Sequence, residues 1–332
     1  MNDTVPPSRA AILLVQLGTP DKPEVPEVRR YLREFLSDRR VVEQSPLIWW
    51  PILHSVVLTR RPKESAEKYR SIWTKAGSPL LVNTKLVAEA LQDELNKRGR
   101  QVEVVWAMRY GNPSMVDALR DLRDRGFSRI VVLPMYPQYS AATSGTVFDV
   151  IAREFLQWRS IPALRFLQSF HDAPGYIAAV AESIRHSWRQ SEAGKPEKLI
   201  FSFHGLPQSC VDQGDPYVKQ CQESAALIAA ALGLAKEDWL LTFQRNGSSP
   251  TLSPPWRHWP GRASRPWTWC ARGSCPTASR RWKRSTWRCT TPSWAPAASA
   301  SATSIASTTP RCGSTPWPIS WATSWRGGRR WR

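Results

Sequence analysis

The stretch AILLVQLGTP, residues 11–20, sets the fold class of this chain. Six of its first seven side chains are apolar, and Gly18, Thr19 and Pro20 follow them. This pattern predicts a short buried strand that ends in a turn. Five further apolar runs are typical of the same element: residues 102–107, 129–133, 163–167, 198–203 and 239–242.

Amphipathic segments of helical length separate these strands. They cover residues 28–36, 63–73, 82–97, 114–125, 146–158, 176–191 and 216–232. Strands that alternate with helices predict an α/β fold whose parallel sheets are covered on both faces. Ligands of such sheets bind where loops converge at the carboxyl ends of the strands. Neither a GxGxxG nor a Walker phosphate loop occurs in the chain.

The composition changes abruptly after Gln244. Residues 1–244 hold all 27 acidic residues and 31 of the 46 basic ones, a balance of +4, which is ordinary. Residues 245–332 hold 15 basic residues, 11 of the 18 tryptophans and no acidic residue, and they account for the rest of the +19 net charge. This tail has too few aliphatic side chains to offset the entropy of ordering, so we predict that it is disordered.

The sequence also bears on the cellular compartment. The N-terminal residues show no cleavable signal pattern, and no apolar run reaches the length of a membrane span. Cys210 and Cys221 are predicted to be reduced thiols. We therefore expect a cytoplasmic protein.

His204 lies between an apolar strand and a Gly-Leu-Pro turn. A neutral imidazole at such a strand end can bind ferrous iron or accept a proton near pH 7. The alternative is a histidine that only caps the strand by hydrogen bonding. The other four histidines have no comparable context and are expected to be structural: His54, His171, His186 and His258.

Another strand end leads into a loop that carries Tyr136 and Tyr139, followed by the hydroxyls of Ser140, Thr143, Ser144 and Thr146. Two tyrosines in one polar loop can stack on a flat ligand. Thr143 or Ser144 can equally be only the cap of the next helix.

Two further features allow both a functional and a structural interpretation. Arg109 and Tyr110 follow a strand, and a guanidinium there suits a carboxylate, although an exposed Arg is usually only solvated. The apolar stretch around Trp49 and Trp50 is either core or a lip that contacts a hydrophobic substrate or a membrane surface.

Together these segments resemble ferrochelatase, the enzyme that inserts ferrous iron into a porphyrin in the last step of protohaem synthesis. The matching stretches occur in the family's order: VQLGTP (15–20), YLREFLSDRRVVE (31–43), MRYGNPS (108–114), LPMYPQYSAATSGT (133–146), FSFHGLP (201–207) and GDPY (214–217). They span nearly all of residues 10–244. Gln16 is a departure, because the family usually has Asn there.

The resemblance implies a fold and a site. The fold has two Rossmann-like, chelatase-type halves with parallel sheets: residues 1–130, then an incomplete second half over residues 131–244, then the tail. His204 matches the family's catalytic and metal-site histidine. The positions that match porphyrin contacts are Arg109, Tyr110, Tyr136, Tyr139, Ser140 and Tyr217. The implied substrates are protoporphyrin IX and ferrous iron, no organic cofactor is needed, and peripheral membrane contact through Trp49 and Trp50 is expected.

The family's next motif, VVCPGFVSDCLETLEEI, is absent as written, and with it the Glu that by resemblance faces the histidine. When the third base of each codon is read with the first two bases of the next, residues 268–285 can encode this motif in full. Our interpretation is that residues 245–332 are an out-of-frame translation of the missing third of a ferrochelatase. Ser279 and Arg280 then overlie the codon of the Glu. Loss of that Glu is expected to weaken or abolish the activity of the chain as written.

Two other functions fit parts of the sequence. A binding protein could use the basic, Trp-rich tail to contact nucleic acid, since Lys and Arg bind phosphates and aromatic rings stack on bases. The shifted frame explains the Trp and Arg excess without such a role, so no nucleic-acid partner is expected. Another class of tetrapyrrole chelatase is disfavoured by the loop over residues 136–146 and by the context of His204.

Overall fold

The computed structural model describes residues 9–191 and 194–244, together with the backbone of residues 268–270. Its first sheet has four parallel strands in the order β2-β1-β3-β4. Their bounds are Arg9–Thr19 (β1), Val102–Gly111 (β2), Phe127–Pro134 (β3) and Ala163–Phe166 (β4).

The central strand β1 owes its position to its uninterrupted apolar run, because both of its faces are covered. Ala11, Leu13 and Val15 point to one face and pack in a cluster with side chains of α5 (Met115–Asp124) and α6 (Thr146–Phe155). Ile12 and Leu14 point to the other face, against α4 (Pro79–Lys97). Alternate side chains of one strand thus form two cores.

The second sheet has three parallel strands in the order β6-β5-β7. They are Leu199–Phe203 (β5), Trp239–Phe243 (β6) and Thr268–Cys270 (β7). Helices α7 (Pro174–Gln190) and α9 (Tyr217–Ala231) pack against it through a separate apolar cluster. The remaining helices are α1 (Val25–Leu36), α2 (Pro46–Ile52), α3 (Leu58–Ile72) and α8 (Gln208–Asp212), with a π-helical segment (Leu53–Val57) that joins α2 to α3.

The predicted α/β class with parallel sheets is confirmed, and each predicted strand and helix appears within a few residues of its expected place. The structure differs at the boundary expected after residue 130. That boundary falls inside β3, and the first sheet continues through β4 to Phe166. The reason is that β3 pairs directly with the central strand β1, so it belongs to the first sheet. The disorder predicted for the tail concerns residues outside the described ranges, apart from the backbone of β7.

Gly18 allows the carboxyl ends of β1 and β2 to approach closely. Its φ of +122° lies where side chains are rarely tolerated, and a Cβ added there would lie 1.8 Å from the carbonyl oxygen of Tyr110. Only glycine therefore fits at this position, which lies at the end of the first sheet where the loops of the candidate site begin.

Candidate active site

His204 directly follows β5, at the carboxyl end of the second sheet. Its side chain reaches solvent, yet surrounding protein atoms remove part of its hydration. This desolvation lowers the pKa of His204 below its ordinary value, and a hydrogen bond with the backbone of Gly205 only partly opposes the shift. The imidazole is therefore neutral near pH 7 and carries a lone pair.

Tyr217 connects helix α9 to this histidine. Its phenol lies close enough to the backbone of His204 and to the thiol of Cys221 to interact with both. Burial raises the pKa of Tyr217 far above its ordinary value and raises the pKa of Cys221 to about 12. Both groups therefore keep their protons at neutral pH and act as hydrogen-bonding or packing groups.

The loop after β3 carries Tyr139 and Ser140. Tyr139 is half-buried, and desolvation raises the pKa of its phenol. Ser140 is buried, and its hydroxyl accepts a hydrogen bond from Ala142 N–H at 3.4 Å at the start of a π-helical turn (Ala141–Gly145). The cap is thus Ser140, whereas Thr143 or Ser144 was the expected capping residue. The same hydroxyl donates to the carboxylate of Asp215 at 2.9 Å.

Arg109 and Tyr110 converge on Asp38. Arg109 donates from Nη2 to Asp38 Oδ2 and from Nε to the carbonyl of Thr146 at 3.0 Å. The hydroxyl of Tyr110 donates to the same Asp38 oxygen at 2.9 Å. The guanidinium and the carboxylate are both buried, with 9% and 7% of their side chains exposed. The carboxylate that meets Arg109 is therefore one from its own chain.

Tyr136 lies beside this pair, and the charge of Arg109 acts on its phenol. Its ring is buried, desolvation raises its pKa well above the ordinary value, and its hydroxyl has no hydrogen-bond partner among the described residues. A buried hydroxyl in this state is costly, and the ring itself packs in the core cluster of the first sheet.

The apolar lip is helix α2, and its two tryptophans differ. Trp49 faces inward: its indole N–H donates to the carbonyl of Leu36 at 2.7 Å. Trp50 faces outward and stacks on His54, with ring centroids 4.6 Å apart. Leu47 and Ile48 are also exposed, by 87% and 62%.

Two features bear on metal and membrane chemistry. Within residues 9–191 and 194–244, no three or more His, Cys, Asp or Glu side chains form a group that could hold a metal ion. No described helix is both long enough and apolar enough to cross a bilayer.

A polar depression of about 470 Å³ beside Gln92 lies at the edge of β2, away from the strand ends that carry the site.

Comparison with known proteins identifies the family. The ferrochelatase family profile matches residues 9–258, about three-quarters of the chain. The chain belongs to the ferrochelatase family. Its match to the ferrochelatase profile ends inside the tail that follows Gln244.

Individual ferrochelatases are similar over the same part. The ferrochelatase of Methylococcus capsulatus is 52% identical over 248 residues, which cover 74% of this chain and 74% of that protein. The ferrochelatase of Aromatoleum aromaticum is 50% identical over 250 residues, or 75% of this chain and 68% of that protein. Ferrochelatase 2 of Shewanella oneidensis is 47% identical over 247 residues, or 74% and 75%.

The site residues that the ferrochelatase resemblance singled out fall into two groups. His204 and Tyr217 lie near each other, and Asp215 links Tyr217 to Ser140 in the loop that also carries Tyr139. Arg109, Tyr110 and Tyr136 form the second group around Asp38.

Sequence reasoning missed Asp38 and Asp215, the two carboxylates that organise these groups. Both lie inside stretches that carried the ferrochelatase resemblance, SDRR and GDPY, so a signal was present. The signal was the single acidic residue within each of these two family motifs.

Proposed function

We propose that this chain binds protoporphyrin IX and inserts ferrous iron into it to form protohaem. The observation that carries the proposal is the exposed imidazole of His204 at a strand end, near Tyr217, which Asp215 connects to the loop that carries Tyr139. Membership of the ferrochelatase family supports it independently.

The reaction exchanges one Fe²⁺ for the two protons on the pyrrole nitrogens of the ring. A neutral base beside the ring can accept such a proton, and the same lone pair can bind ferrous iron on its way in. We assign this role to His204. Iron enters as a substrate, and no resident cofactor is part of the proposal.

The other site residues are proposed to hold the macrocycle. Tyr139 is half-buried and offers an aromatic face, while Tyr136 is buried in the core cluster of the first sheet and supports the loop from inside. Arg109 and Tyr110 support the site from the side away from the ring, since both already hydrogen-bond with Asp38. The positive charge of Arg109 and the hydrogen bonds of both residues fix the strand end on which the ring would rest.

We further propose that residues 245–332 are an out-of-frame translation, so the Glu expected opposite His204 is absent from this chain. The support is the sequence itself, because the shifted frame of residues 268–285 can encode the whole of the family's next motif. Proton removal then relies on His204, without a second base across the ring.

Helix α2 is proposed to contact a membrane surface peripherally. Its exposed apolar side chains are followed by the exposed cations Arg60, Arg61 and Lys63, a combination that suits an anionic bilayer. Trp50, which faces outward, would insert, whereas Trp49 would not.

Vesicle sedimentation tests this contact with a matched pair of variants. Leu47→Ser removes a side chain that is 87% exposed on α2, and Leu156→Ser removes one that is 86% exposed elsewhere. Binding to vesicles that contain anionic lipid should be weaker for Leu47→Ser and unchanged for Leu156→Ser. Equal binding by both variants would contradict the contact.

An anaerobic assay of iron insertion tests the proposed function. The purified chain is mixed with protoporphyrin IX and ferrous iron, and the loss of porphyrin fluorescence is followed. His204→Ala should reduce the rate at least about 100-fold, as expected for removal of a general base. The control is His186→Ala, an exposed histidine on α7. Insertion by His204→Ala at the rate of the control would contradict the proposal.

A further inference from the structure

The carboxylate of Asp215 makes contacts in two parts of the chain that are distant in sequence. Its Oδ1 accepts the backbone N–H of Tyr217 at 3.0 Å, at the start of α9. Its Oδ2 accepts the hydroxyl of Ser140 at 2.9 Å and the backbone N–H of Ala141 at 2.8 Å. The first contact alone would be an ordinary Asx turn just before a helix. The other two reach the loop that follows β3 of the first sheet.

Helix α9 continues this attachment along one face. Gln220 accepts the backbone N–H of Tyr139 at 2.7 Å, and Ser224 accepts the side-chain N–H of Gln138 at 2.9 Å. Residues four apart on a helix share a face, so Gln220 and Ser224 present adjacent acceptors to the loop. The loop from Gln138 to Ala141 therefore lies along α9, and the only charged group in this set of acceptors is the carboxylate of Asp215.

The same end of α9 also carries Tyr217, whose phenol lies near the backbone of His204. A chain of contacts thus runs from the Tyr139–Ser140 loop through Asp215 and Tyr217 to the histidine. Because hydrogen bonds to an ionised carboxylate are about twice as strong as neutral ones, Asp215 is the strongest link in this chain.

We propose that Asp215 is a positioning residue for metal insertion, holding the Tyr139–Ser140 loop against α9 and so setting where a porphyrin lies relative to His204. This inference rests on the proposed function for its consequence in porphyrin binding. The attachment of the loop to α9 stands on the contacts alone.

Asp215→Asn is a sharp test because an amide cannot replace the carboxylate here. Ala141 N–H and Tyr217 N–H are both donors, and they bind different oxygens. An amide has a single acceptor oxygen, so one of the two donors must face its NH₂ group. The matched control is Asp212→Asn, three residues earlier, whose exposed carboxylate contacts only the side chain of Gln208 in the hydrogen bonds described, at 2.9 Å.

Hydrogen–deuterium exchange of the full chain without ligand is the first readout. Asp215→Asn should speed exchange about tenfold or more both in peptides over residues 139–146 and in those that contain Tyr217, with β1 and β5 unchanged. Asp212→Asn should change neither. Faster exchange near Tyr217 alone would reduce Asp215 to a local Asx turn and overturn the inference.

Porphyrin affinity, measured by fluorescence titration, is the second readout. Asp215→Asn should weaken the binding of protoporphyrin IX about tenfold. Adding Ser140→Ala to Asp215→Asn should weaken it no further, since both changes break the same link. Full affinity in Asp215→Asn despite a loosened loop would overturn the positioning role. A wild-type chain that binds no porphyrin would instead refute the proposed function, while exchange would still decide whether Asp215 attaches the loop.

Discussion

The buried pair formed by Asp38 and Arg109 predicts a large stability effect from a small change. Asp38→Asn keeps the size of the side chain but removes its charge. The guanidinium of Arg109, with 9% of its side chain exposed, then keeps the carbonyl of Thr146 as a neutral partner and loses its ionic one. Tyr110 also loses a charged acceptor at 2.9 Å.

Removal of one partner from a buried ion pair costs about 3–5 kcal/mol, because the remaining charge stays buried without compensation. We therefore expect Asp38→Asn to lower the free energy of unfolding by about 3 kcal/mol or more. In a urea titration followed by circular dichroism, the midpoint should fall by about 1 M or more.

The control is Asp124→Asn, which removes the carboxylate of an exposed pair with Arg123, 64% exposed on the Asp124 side. Water screens such exposed pairs, so its midpoint should hardly move. Adding Arg109→Met to Asp38→Asn should recover part of the loss, because no buried charge then remains. A loss below about 1 kcal/mol for Asp38→Asn, or a double variant less stable than either single one, would refute this reasoning.

Three further predictions concern other parts of the chain. In urea unfolding, Gly18→Ala should lower the free energy of unfolding by about 2 kcal/mol or more beyond the loss caused by Gly99→Ala. Both glycines have positive φ, but only at Gly18 would a Cβ lie 1.8 Å from a backbone oxygen. An NMR titration should give His204 a pKa below 6.5 in the folded chain. The stability linked to this group should be lost as the pH falls through that folded pKa, since the unfolded chain binds the proton first. A pKa above 6.5 would contradict the desolvated site. Restoring the reading frame after Gln244, and with it the missing Glu, should raise the rate of iron insertion about 100-fold or more in the fluorescence assay, and no gain would contradict the assigned role of that Glu.

Much of the fold follows from local patterns in the sequence. The apolar run at residues 11–17 became the central strand, and the alternation of strands with helices gave parallel sheets. The division between the sheets could not be read in this way. Residues on either side of position 130 look alike as strand, and only the pairing of β3 with β1 assigns them to the first sheet.

The contacts among the candidate site residues could not be predicted from the sequence. Sequence motifs marked Arg109 and Ser140, yet each binds a carboxylate that is 71 or 75 residues away. Local propensity carries no information on such pairs, which depend on how the strand ends meet. The two tryptophans of α2 show the same limit, because only packing separates the inward Trp49 from the outward Trp50.

A crystal structure of the full chain with protoporphyrin IX would test the central claim most directly. The account predicts a ring at the carboxyl ends of the strands, in contact with Tyr139 and with its pyrrole nitrogens facing the imidazole of His204. A ring bound elsewhere, with His204 exposed to solvent and out of reach of those nitrogens, would contradict it.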